Sequence, residues 1–252
     1  MQNLLVFVFK VSRKLMGIGT GAGPAISGER KIIKLVLKLF KSDPLVIFDG
    51  GANQGQFTVM TLDNMSINID FEIHCFEPAK RTFQILNENV GEYSEIRLNN
   101  VGLGREIENK TLFYDKEGSG IASLTKRSLR HHEIEYEIEE EVRITTIDNY
   151  CMENNIDQIH LLKLDVEGFE MDALYGAQEI LRKAGIRLIS FEFGGASIDS
   201  KYFFKEIYYF LSDRNFQIFR ISPNGYLFHI TRYTEDLEQF QTTNYLAQHM
   251  KD

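Results

Sequence analysis

The chain is poor in the features that would mark several large functional classes. It has 2 cysteines in 252 residues, and Cys75 and Cys151 lie in unrelated contexts with no C-x-x-C spacing. That pattern points to reduced structural thiols rather than a disulfide framework, a zinc site or a nucleophile. Positive charge is in deficit: 28 Lys and Arg against 36 Asp and Glu leave a formal net charge of -8. Such a balance disfavours a general binder of phosphate backbones, so no nucleic-acid partner is expected. Long apolar runs are also missing. The stretch Leu4-Leu5-Val6-Phe7-Val8-Phe9 stops at Lys10, far short of the roughly 18 residues that a membrane span requires. An uncharged start and Arg13-Lys14 after the run do not fit a secretory leader, and the chain reads as cytoplasmic.

What remains fits one large α/β domain or one domain with an appendage, the single domain being the simpler reading. Residues 1–42 read as an N-terminal helical segment, 43–230 as an alternating strand and helix core, and 231–252 as a polar C-terminal tail. The apolar N-terminal segment either packs on its own core or forms a homodimer interface. Gly17 to Pro24 imitates a cofactor loop, but no strong strand precedes it, and it reads as a connection. Ser27 then caps an amphipathic helix whose Ile32, Ile33, Val36, Leu37 and Phe40 face the core.

The richest segment is Leu45-Val46-Ile47-Phe48-Asp49-Gly50-Gly51-Ala52-Asn53-Gln54-Gly55. A continuous apolar run suits a central strand covered on both faces, and the glycines let the backbone turn sharply towards a ligand. A second strand, Phe71-Glu72-Ile73-His74-Cys75-Phe76, closes in Glu77-Pro78, where doubly wound folds hold a ribose diol. A dinucleotide fingerprint needs G-x-G-x-x-G, whereas the glycines here fall at 50, 51 and 55. Asp49 before the turn would repel a pyrophosphate but suits an amino-acid ammonium, which favours S-adenosylmethionine over NAD. A tight strand-to-helix turn without a ligand is the plain alternative.

The second constellation is His160-Leu161-Leu162-Lys163-Leu164-Asp165-Val166-Glu167-Gly168-Phe169-Glu170, a buried strand ending in three acids around a glycine. A further strand over 186–191 carries Glu192 at its end. Acids at several strand ends place Asp165, Glu167 and Glu192 at the crevice beyond the sheet, although Glu170 suits a plain helix N-terminal role. Asp165 and Glu192 also meet the ligand-type requirement for Mg²⁺, Mn²⁺ or Ca²⁺. Residues 95–101 read as the third main strand, and between it and the fourth 110–114 and 133–138 suggest extra ones. Glu139, Glu140 and Glu141 read as a wet strand face rather than a metal site. Lys126, Arg127, Arg130, His131 and His132 are candidates for an anionic substrate, with a solvated surface patch as the bland equivalent.

Taken in order, Ser27-Gly28-Glu29, Phe48 to Gly55, Phe76-Glu77-Pro78, Asn100-Val101-Gly102-Leu103, Thr146-Ile147-Asp148, Leu162 to Glu170 and Gly176-Ala177 resemble the FkbM family of S-adenosylmethionine-dependent methyltransferases over about 27–193. Asn244-Tyr245-Leu246-Ala247 is similar to its closing segment, and Gly50 departs from its usual β-branched or other small residue. The resemblance implies a Rossmann-like class I methyltransferase fold: a mostly parallel seven-stranded sheet, helices on both faces, and a β-rich insertion over about 103–145 before the fourth strand. It implies methyl transfer to oxygen, on a sugar hydroxyl of a nucleotide-activated sugar or of a capsular or O-antigen polysaccharide precursor. Expected cofactor contacts are Asp49, Gly50, Gly51, Ala52, Asn53, Gly55, Phe57, Glu77, Pro78, Asn100, Val101, Gly102 and Asp165. Candidate bases or orienting groups are Asp165, Glu167, Glu192 and, more weakly, His229. Two other classes stay open. One is an NAD-dependent sugar oxidoreductase, disfavoured by the G-x-x-x-G spacing and the lack of a Tyr-x-x-x-Lys pair; the other is a non-catalytic cofactor-binding scaffold.

Overall fold

The structure, a computed structural model, describes residues 1–21, 27–41, 44–65 and 69–250. The expected connection 17–24 therefore lies partly outside the described residues. Among those residues the strands are β1 (Leu45–Gly50), β2 (Phe71–Phe76), β3 (Ile96–Asn99), β4 (Gly102–Leu103), β5 (Glu108–Tyr114), β6 (Ile138–Thr145), β7 (Ile159–Leu164), β8 (Ile186–Phe193), β9 (Phe216–Ile221), β10 (Leu227–Ile230) and β11 (Thr243–His249). The helices are α1 (Gln2–Leu15), α2 (Glu29–Leu39), α3 (Gln56–Leu62), α4 (Lys80–Val90), α5 (Ile147–Asn154), α6 (Glu170–Tyr175), α7 (Gln178–Arg182), α8 (Ala196–Ser200) and α9 (Phe204–Ser212).

The main sheet has the order β10-β9-β11-β8-β7-β1-β2-β3. Its β3, β2, β1, β7 and β8 run parallel, and β11, β9 and β10 add antiparallel pairs. The apolar runs explain the arrangement, because a strand covered on both faces must send alternate side chains into two cores. Ile47 and Leu161 join the core beneath α2, α3 and α4, whereas Phe48 and Leu162 join the one beneath α5, α6, α7 and α9. Each such fully buried aliphatic or aromatic side chain contributes about 1.5–3 kcal/mol. In α2 the expected Ile32, Ile33 and Val36 are buried. Ser27 does not cap it in the expected way: Gly28 is the capping residue, and the Ser27 hydroxyl donates to the Glu29 carboxylate at 2.7 Å.

Three differences from the sequence reading concern antiparallel pairing. The sheet has eight strands rather than seven, because β10 adds to the edge by pairing with β9. Within the stretch read as a tail, β11 slots between β8 and β9, with Tyr245 stacked on Phe191 at 5.4 Å. The insertion forms a separate sheet, β4-β6-β5, but residues 133–137 are not strand and β6 begins at Ile138. Its wet face is as expected, with Glu139 and Glu141 exposed; Glu140 is half-buried and accepts from the Lys80 amide and the Tyr114 hydroxyl. Two-residue alternation located acidic strand character but not its start, since Leu129 and Tyr136 are buried without ladder pairing.

Candidate active site

The turn after β1 is built by close backbone approach. Gly51 has φ +74, and a Cβ there would lie 1.9 Å from the Asp165 carbonyl oxygen, so only glycine lets the ends of β1 and β7 meet. The amides of Gly51 and Ala52 both donate to the Phe76 carbonyl at 3.0 Å, tying the turn to β2. Gly50 is tight rather than loose: its Cβ would stand 3.0 Å from the Lys163 carbonyl and 3.1 Å from Leu103. Gly55, at φ +90, starts α3 against Leu86.

Asp49 lies under this turn instead of at its lip. Its carboxylate is fully buried, accepts from the Thr58 hydroxyl at 2.8 Å and pairs with the Lys163 ammonium at 3.2 Å. The parallel register sets Asp49 opposite Lys163, so the chain's own ammonium occupies the carboxylate expected to hold a cofactor's. Lys163 also lies 3.5 Å from Asp165 and 5.4 Å from the Phe57 ring centre, and Phe57 is itself buried. Burial works against the ammonium, but Asp49, Asp165 and Glu29 outweigh it and hold Lys163 above the usual lysine range.

Above the turn opens a cavity of about 880 Å³, to which the ends of β1, β2, β7 and β8 all contribute wall residues. Of the expected cofactor contacts, Gly51, Asn53, Glu77, Pro78, Gly102 and Asp165 line it. Asp49, Gly50, Ala52, Gly55, Phe57, Asn100 and Val101 are not among its lining residues, and some of them brace those that are. Asn100, for example, donates to the carbonyls of Glu77 and Pro78 at 2.9 and 3.0 Å. Glu77 accepts the Ala79 amide on Oε1 at 2.8 Å and the Asn53 amide on Oε2 at 3.1 Å. Burial pushes its carboxyl up to about 7 despite those two donors. Beside it Asn53 is held at φ 49, and its Oδ1 is buried with no hydrogen-bond partner.

The acids of β7 and β8 form the opposite wall. Asp165, Glu167 and Glu192 all line the cavity. Glu167 is held at φ 51 and pairs with Arg127 at 2.7 Å. Burial, with Asp165 and Glu170 nearby, outweighs Arg127 and pushes Glu167 up to about 8. Glu192 is driven well above the carboxylate range by burial and by Asp165, Glu167 and Glu170. Glu170 has the structural role allowed for it: Oε1 accepts the amides of Val166 and Gly168 at 3.1 and 3.3 Å. Among the described residues no group of three or more His, Cys, Asp or Glu is arranged to hold a metal ion. Asp165 and Glu192 share a wall, but Lys163 is the cation next to Asp165.

His229 belongs elsewhere. It is exposed on the edge strand β10, stacked on Phe219 at 4.9 Å, because β11 and β9 separate β10 from the core strands. Conversely, Arg127 is not a solvated surface cation. Its guanidinium is largely buried in the cavity wall, bridging Glu167 and, at 3.3 Å, Asp199. His131 and His132 line the same cavity, whereas Lys126 pairs outside with Glu139. The sequence reading missed Ser119, Gly120 and Ile121 of the insertion and Thr242 before β11, which complete the enclosure. Gly118-Ser119-Gly120 was a usable signal, since a Cβ on Gly120 would come within 3.3 Å of Asn53 Nδ2.

Comparison with known proteins bears on this site. The Methyltransferase FkbM domain matches residues 49–218. The chain is 30% identical over 164 residues to the 2-O-methyltransferase NoeI of Sinorhizobium fredii, covering 61% of this chain and 64% of that one. It is 29% identical over 152 residues to Methyltransferase 1 of Beauveria bassiana, covering 54% and 60% respectively. The matches thus span less than two thirds of either curated relative. The crystal structure of a methyltransferase FkbM from Methylobacillus flagellatus aligns with TM-score 0.50 at 18% identity, over 84% of this chain and 47% of that one, which is a likeness of fold.

Proposed function

The chain belongs to the FkbM methyltransferase family, and on that premise we propose that it transfers a methyl group from S-adenosylmethionine to a sugar hydroxyl. The observation that carries this reading is one enclosure with two kinds of wall. Glu77 and Asn53 stand at the ends of β2 and β1, and the high-pKa acids Glu167 and Glu192 stand at the ends of β7 and β8. The first wall fits the cofactor. Each Glu77 oxygen accepts one backbone amide and keeps accepting capacity for a ribose hydroxyl, while the orphaned Asn53 Oδ1 calls for a donor.

S-adenosylmethionine, when bound, supplies an electrophilic methyl carbon on a sulfonium. The protein's share of the work is to orient the acceptor oxygen and take its proton. Arg127 occupies Glu167 Oε2, which leaves Oε1 to accept the hydroxyl proton as the acceptor oxygen bonds to the methyl carbon and the methyl–sulfur bond breaks, with S-adenosylhomocysteine as the leaving group. A carboxylate with its pKa near 8 is a stronger base than an ordinary one, which suits an alcohol. Arg127 then holds the side chain in place, and Glu192 and Asp165 offer acceptors to neighbouring hydroxyls. The name of the NoeI relative, a 2-O-methyltransferase, supports oxygen as the accepting atom.

Titration calorimetry with S-adenosylhomocysteine and, separately, NAD tests the cofactor. Binding of the former alone, followed by methyl transfer to members of a sugar panel, is the expected result. Binding of NAD alone would overturn the reading in favour of redox chemistry, and binding without transfer to any acceptor would favour a scaffold.

A further inference from the structure

α1 differs from the helices that pack on the sheet. None of its residues is buried, and its exposed side chains include Phe7 at 64% and Leu15 at 73%. At about 100° per residue, Phe7, Val11, Leu4, Val8, Leu5 and Phe9 follow one another round one broad face, interrupted by Ser12. Gln2, Asn3, Lys10, Arg13 and Lys14 gather on the other face, with Val6 among them. Every charge on the helix is basic, in a chain whose net charge is -8.

The helix is fixed at its C-terminal end. The Arg220 guanidinium donates to the Met16 carbonyl at 2.9 Å, Ile18 is buried, and a Cβ on Gly17 would collide with the Ile221 carbonyl. Just past this joint, Gly19 and Gly21 line the cavity. At 1.5 Å per residue, 14 residues reach about 21 Å, less than the ~30 Å hydrocarbon core, so such a helix would lie along a bilayer and not across it.

We propose that α1 lies in the surface of an anionic lipid bilayer, its Leu and Phe face among the acyl chains and Lys10, Arg13 and Lys14 at the headgroup phosphates. A wide apolar face opposite a uniformly basic one is the chemistry of an in-plane membrane helix. Packing α1 on α1 of a second copy would cover the apolar face but use none of the basic one. Surface docking through α1 also keeps the cavity wall at Gly19 and Gly21 within a few residues of the lipid.

Cosedimentation of the full chain with vesicles of phosphatidylcholine, alone or mixed with phosphatidylglycerol, tests this. The mixed vesicles should carry the protein down. Lys10→Glu/Lys14→Glu should weaken partition by about tenfold or more, as should high salt. Leu4→Glu/Val8→Glu should abolish it with the circular dichroism spectrum unchanged, since both side chains are exposed. Equal sedimentation of all three proteins, or none with either vesicle, overturns the proposal. So does a lipid-free dimer that Leu4→Glu/Val8→Glu dissociates without any vesicle binding, which would assign the face to a second copy.

Discussion

The carboxylate beneath the glycine turn and those on the cavity wall are the same chemical group at the same kind of position, the C-terminal ends of parallel strands. Their surroundings make them different objects. Asp49 is fully buried, with both oxygens engaged by Thr58 and Lys163, so it is a fixed internal ion pair joining β1 to β7. Glu167 and Glu192 face a cavity, crowd one another and Asp165, and hold their protons far more tightly than ordinary carboxylates. A buried pair with matched partners serves architecture; a cluster of acids with too few cations is the feature on which the proposed proton transfer rests.

The sharpest way to break this contrast is Lys163→Met, which strands Asp49 without its ammonium. Stability should fall by about 3–5 kcal/mol in urea unfolding, and a loss below about 1 kcal/mol would mean the pair is not structural. Glu167→Gln should do the reverse. It should fold normally and lower kcat by about 10²-fold or more, as measured by methyl transfer to the identified acceptor.

The same variant has a pH signature. In the folded chain Glu167 titrates at about 8 and Glu77 at about 7, against about 4.3 for an unfolded glutamate. The native state therefore holds more protons across that interval, and its stability should decline as pH rises from about 4.3 towards 8. Glu167→Gln should shallow that decline, and the rise of kcat/KM through pH 8 should vanish with it. An unchanged profile would move the base to Glu192.

Smaller effects sharpen the boundary between floor and wall. Glu77→Gln should weaken S-adenosylhomocysteine binding by about 10–100-fold through loss of charge-assisted hydrogen bonding, with calorimetry as the readout. His229→Ala should leave kcat within about twofold of the parent, as an exposed edge residue would; a larger fall in turnover would return His229 to the site.

How much of this was legible depended on the range of the forces involved. The strand at 45–50 is written in the unbroken apolar run Leu45 to Phe48, those at 71–76, 159–164 and 186–193 in predominantly apolar segments, and the turn at Gly51 in its glycines, because each needs only its neighbours to be recognised. β11 is different. Thr243 and Asn244 look like tail residues, and their burial comes from pairing with β8 about fifty residues earlier. Glu133 to Glu137 alternates like a strand, yet ladder pairing begins only at Ile138, since period two alone does not choose a partner.

By itself the sequence determined the layered α/β class, the turn that opens the cavity and the gathering of acids at its rim, all consequences of hydrophobic periodicity and of glycine's conformational range. Tertiary structure decided which acid does what. It set Lys163 opposite Asp49, carried Arg127 from the insertion to Glu167, and left His229 at an edge. An ionisable group takes its role from burial and from charges within a few ångströms, and those neighbours come from segments more than a hundred residues apart in the case of Asp49 and Lys163.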